Sequence, residues 1–283
     1  MTPRDAGPVG PLDAVAGWPV GEAAAGVADP GGVIAVAGNG RRLFAWASVT
    51  KLLTALAVLV AVEEETVSLD QAAGPPGATV AHLLAHAAGL GTTPTEVLAP
   101  PGTRRIYSNA GYEVVATTVA ERAGMPFGEY MRAAVLDPLG LAATTLDGSP
   151  ASGAVGPLAD LLAVGVELLA PSLLAPATMA AATTTAFPGL AGVLPGLGRH
   201  DPNDWGLGPE LRDAKAPHWT GSANSPATFG HFGRAGGFLW VDPAARLACA
   251  ALTDREFGPW ALHAWPALSD AVLAGWAAEG GEG

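Results

Sequence analysis

The stretch that decides the fold reads Ala47-Ser48-Val49-Thr50-Lys51-Leu52-Leu53-Thr54-Ala55-Leu56-Ala57-Val58-Leu59-Val60-Ala61-Val62. After Lys51 it is almost wholly Ala, Leu and Val, with no Gly or Pro before Glu63, and this predicts a helix. A helix that is apolar on nearly every side is usually buried. Ser48 stands where the helix begins, and Lys51 lies three residues on, one turn away on the same face. A serine hydroxyl is a poor nucleophile until a neighbour takes its proton. A neutral lysine can take it, provided desolvation or nearby charge lowers its pKa. The helix N-terminus adds backbone N–H groups where an oxyanion would form. The chain has only two lysines, Lys51 and Lys215, against twelve arginines, and arginine cannot serve as a base at neutral pH. The plain alternative makes Ser48 a helix N-cap and lets Lys51 snorkel to the surface.

At 283 residues the chain can form one large domain or two lobes around a shared core. A hydrophobic fraction of 49% with 14% charged residues describes a globular protein. The net charge of -12 argues against nucleic acid as a partner. Cys249 is the sole cysteine, which leaves no disulfide framework; within the apolar run Leu247 to Leu252 it reads as a small core residue. Met1 to Pro19 has no apolar core of the kind a secretory signal needs. No run is long enough to span a bilayer, so the expectation is a cytoplasmic protein.

Along the chain, a short helix is expected around Val20 to Ala28. Gly32 to Ala37 reads as a strand, ended by Gly38-Asn39-Gly40. Thr79 to Ala88 reads as a second helix stopped by Gly89. His82 and His86 on it have the i, i+4 spacing of two metal ligands, but no third ligand stands near, and packing and loop anchoring fit them better. Helices follow at Ala110 to Ala123, Phe127 to Val135 and Gly156 to Ala170, and residues 171–225 are loop-rich. Thr228 to Arg234, Gly237 to Val241 and Arg246 to Thr253 read as three successive strands, and Trp260 to Ala278 as a closing helix interrupted at Pro266. One early strand, a helical middle and three late strands fit an α+β fold.

Three pieces stand out together: Ser48-Val49-Thr50-Lys51, Tyr107-Ser108-Asn109, and Gly230-His231-Phe232-Gly233. In this order they resemble the serine β-lactamase-like superfamily of class C β-lactamases, penicillin-binding proteins, D-alanyl-D-alanine peptidases and related esterases. Ala47 to Leu56, Thr79 to Leu90, Pro101 to Gly140 and Phe229 to Thr253 all carry the likeness. It implies an antiparallel sheet flanked by N- and C-terminal helices, with an inserted, mostly helical lobe. The α/β lobe would take about 20–70 and 205–283, and the helical lobe about 71–204, in one domain. It also implies Ser48 as the acylated nucleophile and Lys51 as its base. Tyr107 would shuttle the proton, which suits a tyrosine only if cationic neighbours lower its pKa. Asn109 would bind the substrate carbonyl and Lys51, and His231 would take the place of the family's strand lysine. The backbone N–H groups of Ser48 and Arg234 would make the oxyanion hole, with Gly233 letting substrate lie against the strand. Arg234, His218 and Trp219 would contact substrate, with Trp205 and Trp240 as further aromatic walls. No cofactor or metal is implied. Taken singly, Asn109 also reads as an N-cap, Tyr107 as a packed apolar residue, and His231 and Trp240 as ordinary strand residues.

Two departures bear on activity. About ten residues link Ala37 to Ser48, so an N-terminal hairpin is expected to be missing or cut short, leaving a smaller sheet and a more open site. His231 and Phe232 replace a lysine and a hydroxyl that would bind a substrate carboxylate. A charge-assisted hydrogen bond is worth roughly 1.5–3 kcal/mol, so the expectation is an esterase or amidase acting on a less anionic small molecule. β-Lactamase or D-Ala-D-Ala carboxypeptidase activity, and a catalytically silent scaffold, are the alternatives. An α/β-hydrolase is disfavoured because no Gly-x-Ser-x-Gly elbow occurs.

Overall fold

The structure, a computed structural model, describes residues 10–276. The chain opens with a 3-10 turn at Asp13–Gly17, then forms the hairpin β1 (Ala23–Asp29) and β2 (Gly32–Gly38). A short β3 (Leu43–Ala45) and the 3-10 turn Ala47–Val49 lead into α1 (Thr50–Glu63). The middle of the chain holds α2 (Val80–Leu84), α3 (Asn109–Ala123), α4 (Phe127–Met131) with a π-helical turn at Arg132–Leu136, β4 (Thr145–Leu146), β5 (Ala154–Pro157), α5 (Leu158–Leu169), α6 (Pro176–Ala182), β6 (Gly192–Leu194) and β7 (Gly198–His200). It closes with β8 (Glu210–Leu211), β9 (Phe229–Gly233), β10 (Gly237–Asp242), β11 (Leu247–Thr253) and α7 (Ala261–Trp276).

The main sheet has six antiparallel strands in the order β2-β1-β11-β10-β9-β8. Its inner strands are buried on both faces, and successive residues serve opposite sides. Ala248, Ala250 and Leu252 of β11 join the core containing α1 and α5, whereas Leu247, Cys249 and Ala251 join the core containing Trp265, Leu268 and Val272 of α7. Cys249 is thus a buried core thiol, as the apolar run predicts. Pro266 sits inside α7 without ending it. The last two residues expected in this helix, 277–278, lie outside the described residues, as do residues 1–9.

Two expectations are corrected. The segment Ala23 to Ala28 is a central strand, not a helix. Its alanines favour helix locally, but they register with Ala248 to Thr253 on one side and with β2 on the other, and two-sided burial overrides propensity. The N-terminal hairpin is therefore present, and the strand read as first is the second, so the sheet is not cut short. The helix expected at Thr79 to Ala88 is also shorter: it ends at Leu84, and His86 turns the chain with φ 54°.

α1 behaves as its pattern predicts. Eleven of its residues, Lys51 among them, are buried, because it runs between the sheet core and the helices α3 and α4. Among the described residues no helix is long and apolar enough to cross a membrane.

Candidate active site

Ser48 lies in the tight turn before α1, and the turn is set by its neighbours. Trp46 is fully buried and its indole N–H donates to the Gly156 carbonyl at 3.1 Å. Ala47 takes φ 45°, a left-handed conformation that costs a non-glycine residue about 1–2 kcal/mol. Gly233 packs against this turn so closely that a Cβ there would stand 2.3 Å from the Trp46 carbonyl oxygen and 3.3 Å from the Ser48 nitrogen. The absence of a side chain at 233 thus lets the end of β9 reach the serine, with Arg234 as the next residue.

Lys51 is wholly buried. Its Nζ donates to Asn109 Oδ1 at 2.7 Å and to the Ala151 carbonyl at 2.9 Å, and it lies 3.4 Å from Ser48 Oγ. Burial lowers its pKa from 10.5 to about 7, against a smaller upward pull from Glu113. In the neutral form an amine has two N–H donors and one lone pair. Asn109 and Ala151 occupy the donors, so the lone pair faces the serine hydroxyl.

Asn109 is free for this contact because it does not cap α3. Ser108 is the N-cap, accepting from the Gly111 N–H at 3.2 Å and donating to the Gly91 carbonyl at 2.6 Å. His86 anchors the same segment: its Nδ1 accepts the Ser108 backbone N–H at 3.1 Å, and its ring lies 4.5 Å from that of Tyr107. Arg105, also buried, donates to the carbonyls of Ala85, Ala186, Phe187 and Asn203. The loop carrying Tyr107 and Asn109 is therefore fixed from below at two points. No group of three or more metal-ligating side chains occurs among the described residues.

The Tyr107 ring faces the lysine, with Nζ 4.7 Å from its centroid. Its hydroxyl faces Ser48 but has no partner of full hydrogen-bonding geometry. The condition of a lowered tyrosine pKa is not met: burial pushes it up, and the contact with Ser48 offsets only part. The nearby amine is itself made less cationic by the same burial, so little positive charge remains to stabilise a phenolate.

His231 is 3% exposed and lies on β9. Burial first, and Lys51 second, lower its pKa to about 3, so it is neutral. Its Nδ1 is 2.7 Å from the Phe232 carbonyl oxygen. These residues open onto a cleft of about 640 Å³, walled by Leu194, Pro195, Gly196, Trp205, Phe232 and Phe257, with Ser152, Glu210 and Arg234 also reaching it.

Ser48, Tyr107, Asn109, His231, Trp205 and Arg234 thus meet at one cleft, with Lys51 beneath. His218 and Trp219 do not line it. Trp219 is 1% exposed and packs against Phe232 and Phe238; it and His218 both bond the Glu210 carboxylate at 2.9 Å. They reach the cleft only through Glu210, which sequence reading missed. Lys215, the second of the two lysines, pairs with the same carboxylate, and its rarity was the one available signal. Trp240 is core, its indole N–H donating to Ser269 at 3.0 Å.

Comparison with known proteins agrees with this architecture. The Beta-lactamase family profile matches residues 12–273. A β-lactamase from Mycobacterium bovis is 55% identical, with a TM-score of 0.93 over 94% of this chain and 99% of that one. Two more distant structures share the fold. Unliganded simvastatin synthase from Aspergillus terreus is 16% identical, with a TM-score of 0.78 over 94% of this chain and 96% of that one. An octameric penicillin-binding protein homologue from Pyrococcus abyssi is 18% identical, with a TM-score of 0.72 over 93% and 75%. A comparison with curated proteins found no match. A profile spanning the whole sheet and helical middle, with a relative alike along its entire length, places the chain in the β-lactamase family.

Proposed function

We propose that the protein is a serine hydrolase working through an acyl-enzyme on Ser48, an esterase or amidase within its family. The observation that carries this reading is the Lys51 amine, whose two donors are taken by Asn109 and Ala151 while its remaining face meets Ser48 Oγ at 3.4 Å. Ser48 Oγ attacks the substrate carbonyl as its proton passes to Lys51 Nζ. The backbone N–H groups of Ser48 and Arg234 receive the oxyanion. The proton then travels through the Tyr107 hydroxyl to the leaving group, whose bond to the acyl carbon breaks. Because burial raises its pKa, Tyr107 acts here as a neutral hydroxyl that takes one proton as it gives another, not as the phenolate that a lowered pKa would allow. Water, deprotonated by the same groups, releases the acid and restores Ser48. Asn109 holds both the lysine and the substrate carbonyl.

The substrate preference follows from charge. His231 is neutral, and the exposed Arg234 side chain is paired with Glu256 at 3.5 Å. No cation is thus dedicated to a substrate carboxylate. A second reading, β-lactam hydrolysis, draws on the 55%-identical relative described as a β-lactamase. A panel of p-nitrophenyl esters, nitrocefin and a D-Ala-D-Ala peptide, run on wild type and Ser48→Ala, tests both. Ester turnover above nitrocefin turnover, lost in Ser48→Ala, is expected. Nitrocefin as the best substrate would shift the assignment to a β-lactamase, and no turnover of any would leave a scaffold.

A further inference from the structure

The cleft wall formed by β9 offers substrate an acceptor where the family's strand lysine would offer a donor. Nδ1 of His231 stands 2.7 Å from the backbone oxygen of Phe232, and a carbonyl oxygen only accepts, so Nδ1 carries the ring proton. A neutral imidazole then presents a bare lone pair at Nε2. That nitrogen is buried and has no partner. The ring is held between Tyr107, at 5.9 Å, and Trp205, at 5.7 Å between centroids, so it cannot turn freely to another donor. A buried acceptor without a donor is costly, and a ligand that supplies one recovers that cost.

The other polar groups nearby do not fill the role: the Tyr107 hydroxyl, also buried without a full partner, faces Ser48. Glu210, which pairs with Gly230 next to His231, is a second acceptor lining the cleft, but Lys215, His218 and Trp219 already occupy its oxygens. Among the described residues lining the cleft, Arg234 is the one lysine or arginine. Its side chain is 83% exposed and turned to Glu256. The β9 wall therefore holds one unsatisfied acceptor, one ionised carboxylate, and no buried cation.

We propose that His231 makes this wall a hydrogen-bond-acceptor subsite, so that preferred substrates carry a hydroxyl or an N–H, rather than a carboxylate, on the part lying against β9. This rests on the hydrolase reading above and names the substrate class it implies.

The test uses two series of small esters matched in size. One varies the alcohol, comparing 2-hydroxyethyl, 2-methoxyethyl and carboxymethyl esters of one acid. The other varies the acyl group, comparing 3-hydroxybutyryl and 3-methoxybutyryl esters of one alcohol. In wild type the hydroxyl member of one series should exceed its methyl ether by about tenfold in kcat/KM, mainly through KM, and the carboxymethyl ester should be the poorest. In His231→Leu the ratio of hydroxyl to ether should fall to near one, and in His231→Lys the carboxymethyl ester should gain on the others. Ratios within each variant cancel any general loss of activity, and the wild-type comparison stands even if a variant does not fold. Equal rates for hydroxyl and ether in both series, with Ser48 still labelled by a fluorophosphonate, would overturn the subsite alone. Absence of Ser48 labelling in wild type would overturn the hydrolase reading and the subsite with it.

Discussion

Lys51 Nζ lies 2.7 Å from Asn109 Oδ1, joining two pieces of chain that only the packing of α1 against α3 brings together. The contact orients the amine: with one N–H on Asn109 and one on Ala151, the nitrogen can accept a proton from one direction only.

Gly233→Ala should sharply lower the proposed ester turnover. Its Cβ would stand 2.3 Å from the Trp46 carbonyl, and the end of β9 must retreat from Ser48. Displacing an oxyanion donor costs roughly 10²–10³ in kcat. Steady-state kinetics with a thermal melt should show kcat falling far more than folding suffers. An unchanged kcat would remove β9 from the oxyanion site.

His86→Leu should act on the reaction from a distance. It leaves the Ser108 N–H without its acceptor, a loss of about 1–3 kcal/mol in stability. It also loosens Tyr107 and Asn109 together. Chemical denaturation and ester kinetics should report both a lower stability and a lower kcat with KM little changed.

Glu210→Gln should destabilise the fold by about 3–5 kcal/mol, because it strands the buried Lys215 ammonium. Glu210→Gln combined with Lys215→Met should recover part of the loss. Burial alone would raise the Glu210 pKa, but His218 and Lys215 outweigh it and bring it to about 2 from 4.5. A lowered carboxylate pKa gives stability that is present above the unfolded value and lost as pH falls. Wild type should therefore lose stability between about pH 4.5 and 2 more steeply than the double variant, as urea midpoints would register.

Lys51 carries a linkage of the same sign in a higher pH window. Its pKa falls from 10.5 unfolded to about 7 folded, so between those values the unfolded chain binds the extra proton. Stability must then rise with pH across that window. Measured against Lys51→Met, wild type should gain unfolding free energy from pH 7 to pH 10. A pH-independent difference would mean that the amine is charged in the folded state.

The parts of this picture that sequence conveyed are those with local patterns. The apolar run after Lys51 announced a buried helix, and Ser48-x-x-Lys51, Tyr107-x-Asn109 and the Gly230 to Gly233 strand fell in an order that the fold brings to one cleft. What sequence withheld depends on partners far along the chain. Ala23 to Ala28 looks helical until β11 and β2 are seen on either side of it. Glu210 carries no local mark, because its neighbours Lys215, His218 and Trp219 assemble only when the loop before β9 folds. Whether the Tyr107 pKa is lowered or raised is likewise not legible, since it depends on the burial of both the phenol and Lys51.

The central claim, that a neutral buried amine draws the proton from Ser48, is tested most directly by the pH dependence of Ser48 acylation. Fluorophosphonate labelling, followed by intact mass and mapped to the modified peptide, should proceed on Ser48 with a rate rising through an apparent pKa near 7. The rate should fall by roughly 10²–10⁴ in Lys51→Arg, which keeps the charge but cannot shed the proton. A rate independent of pH between 5 and 9, or near-normal labelling of Lys51→Arg, would contradict the account.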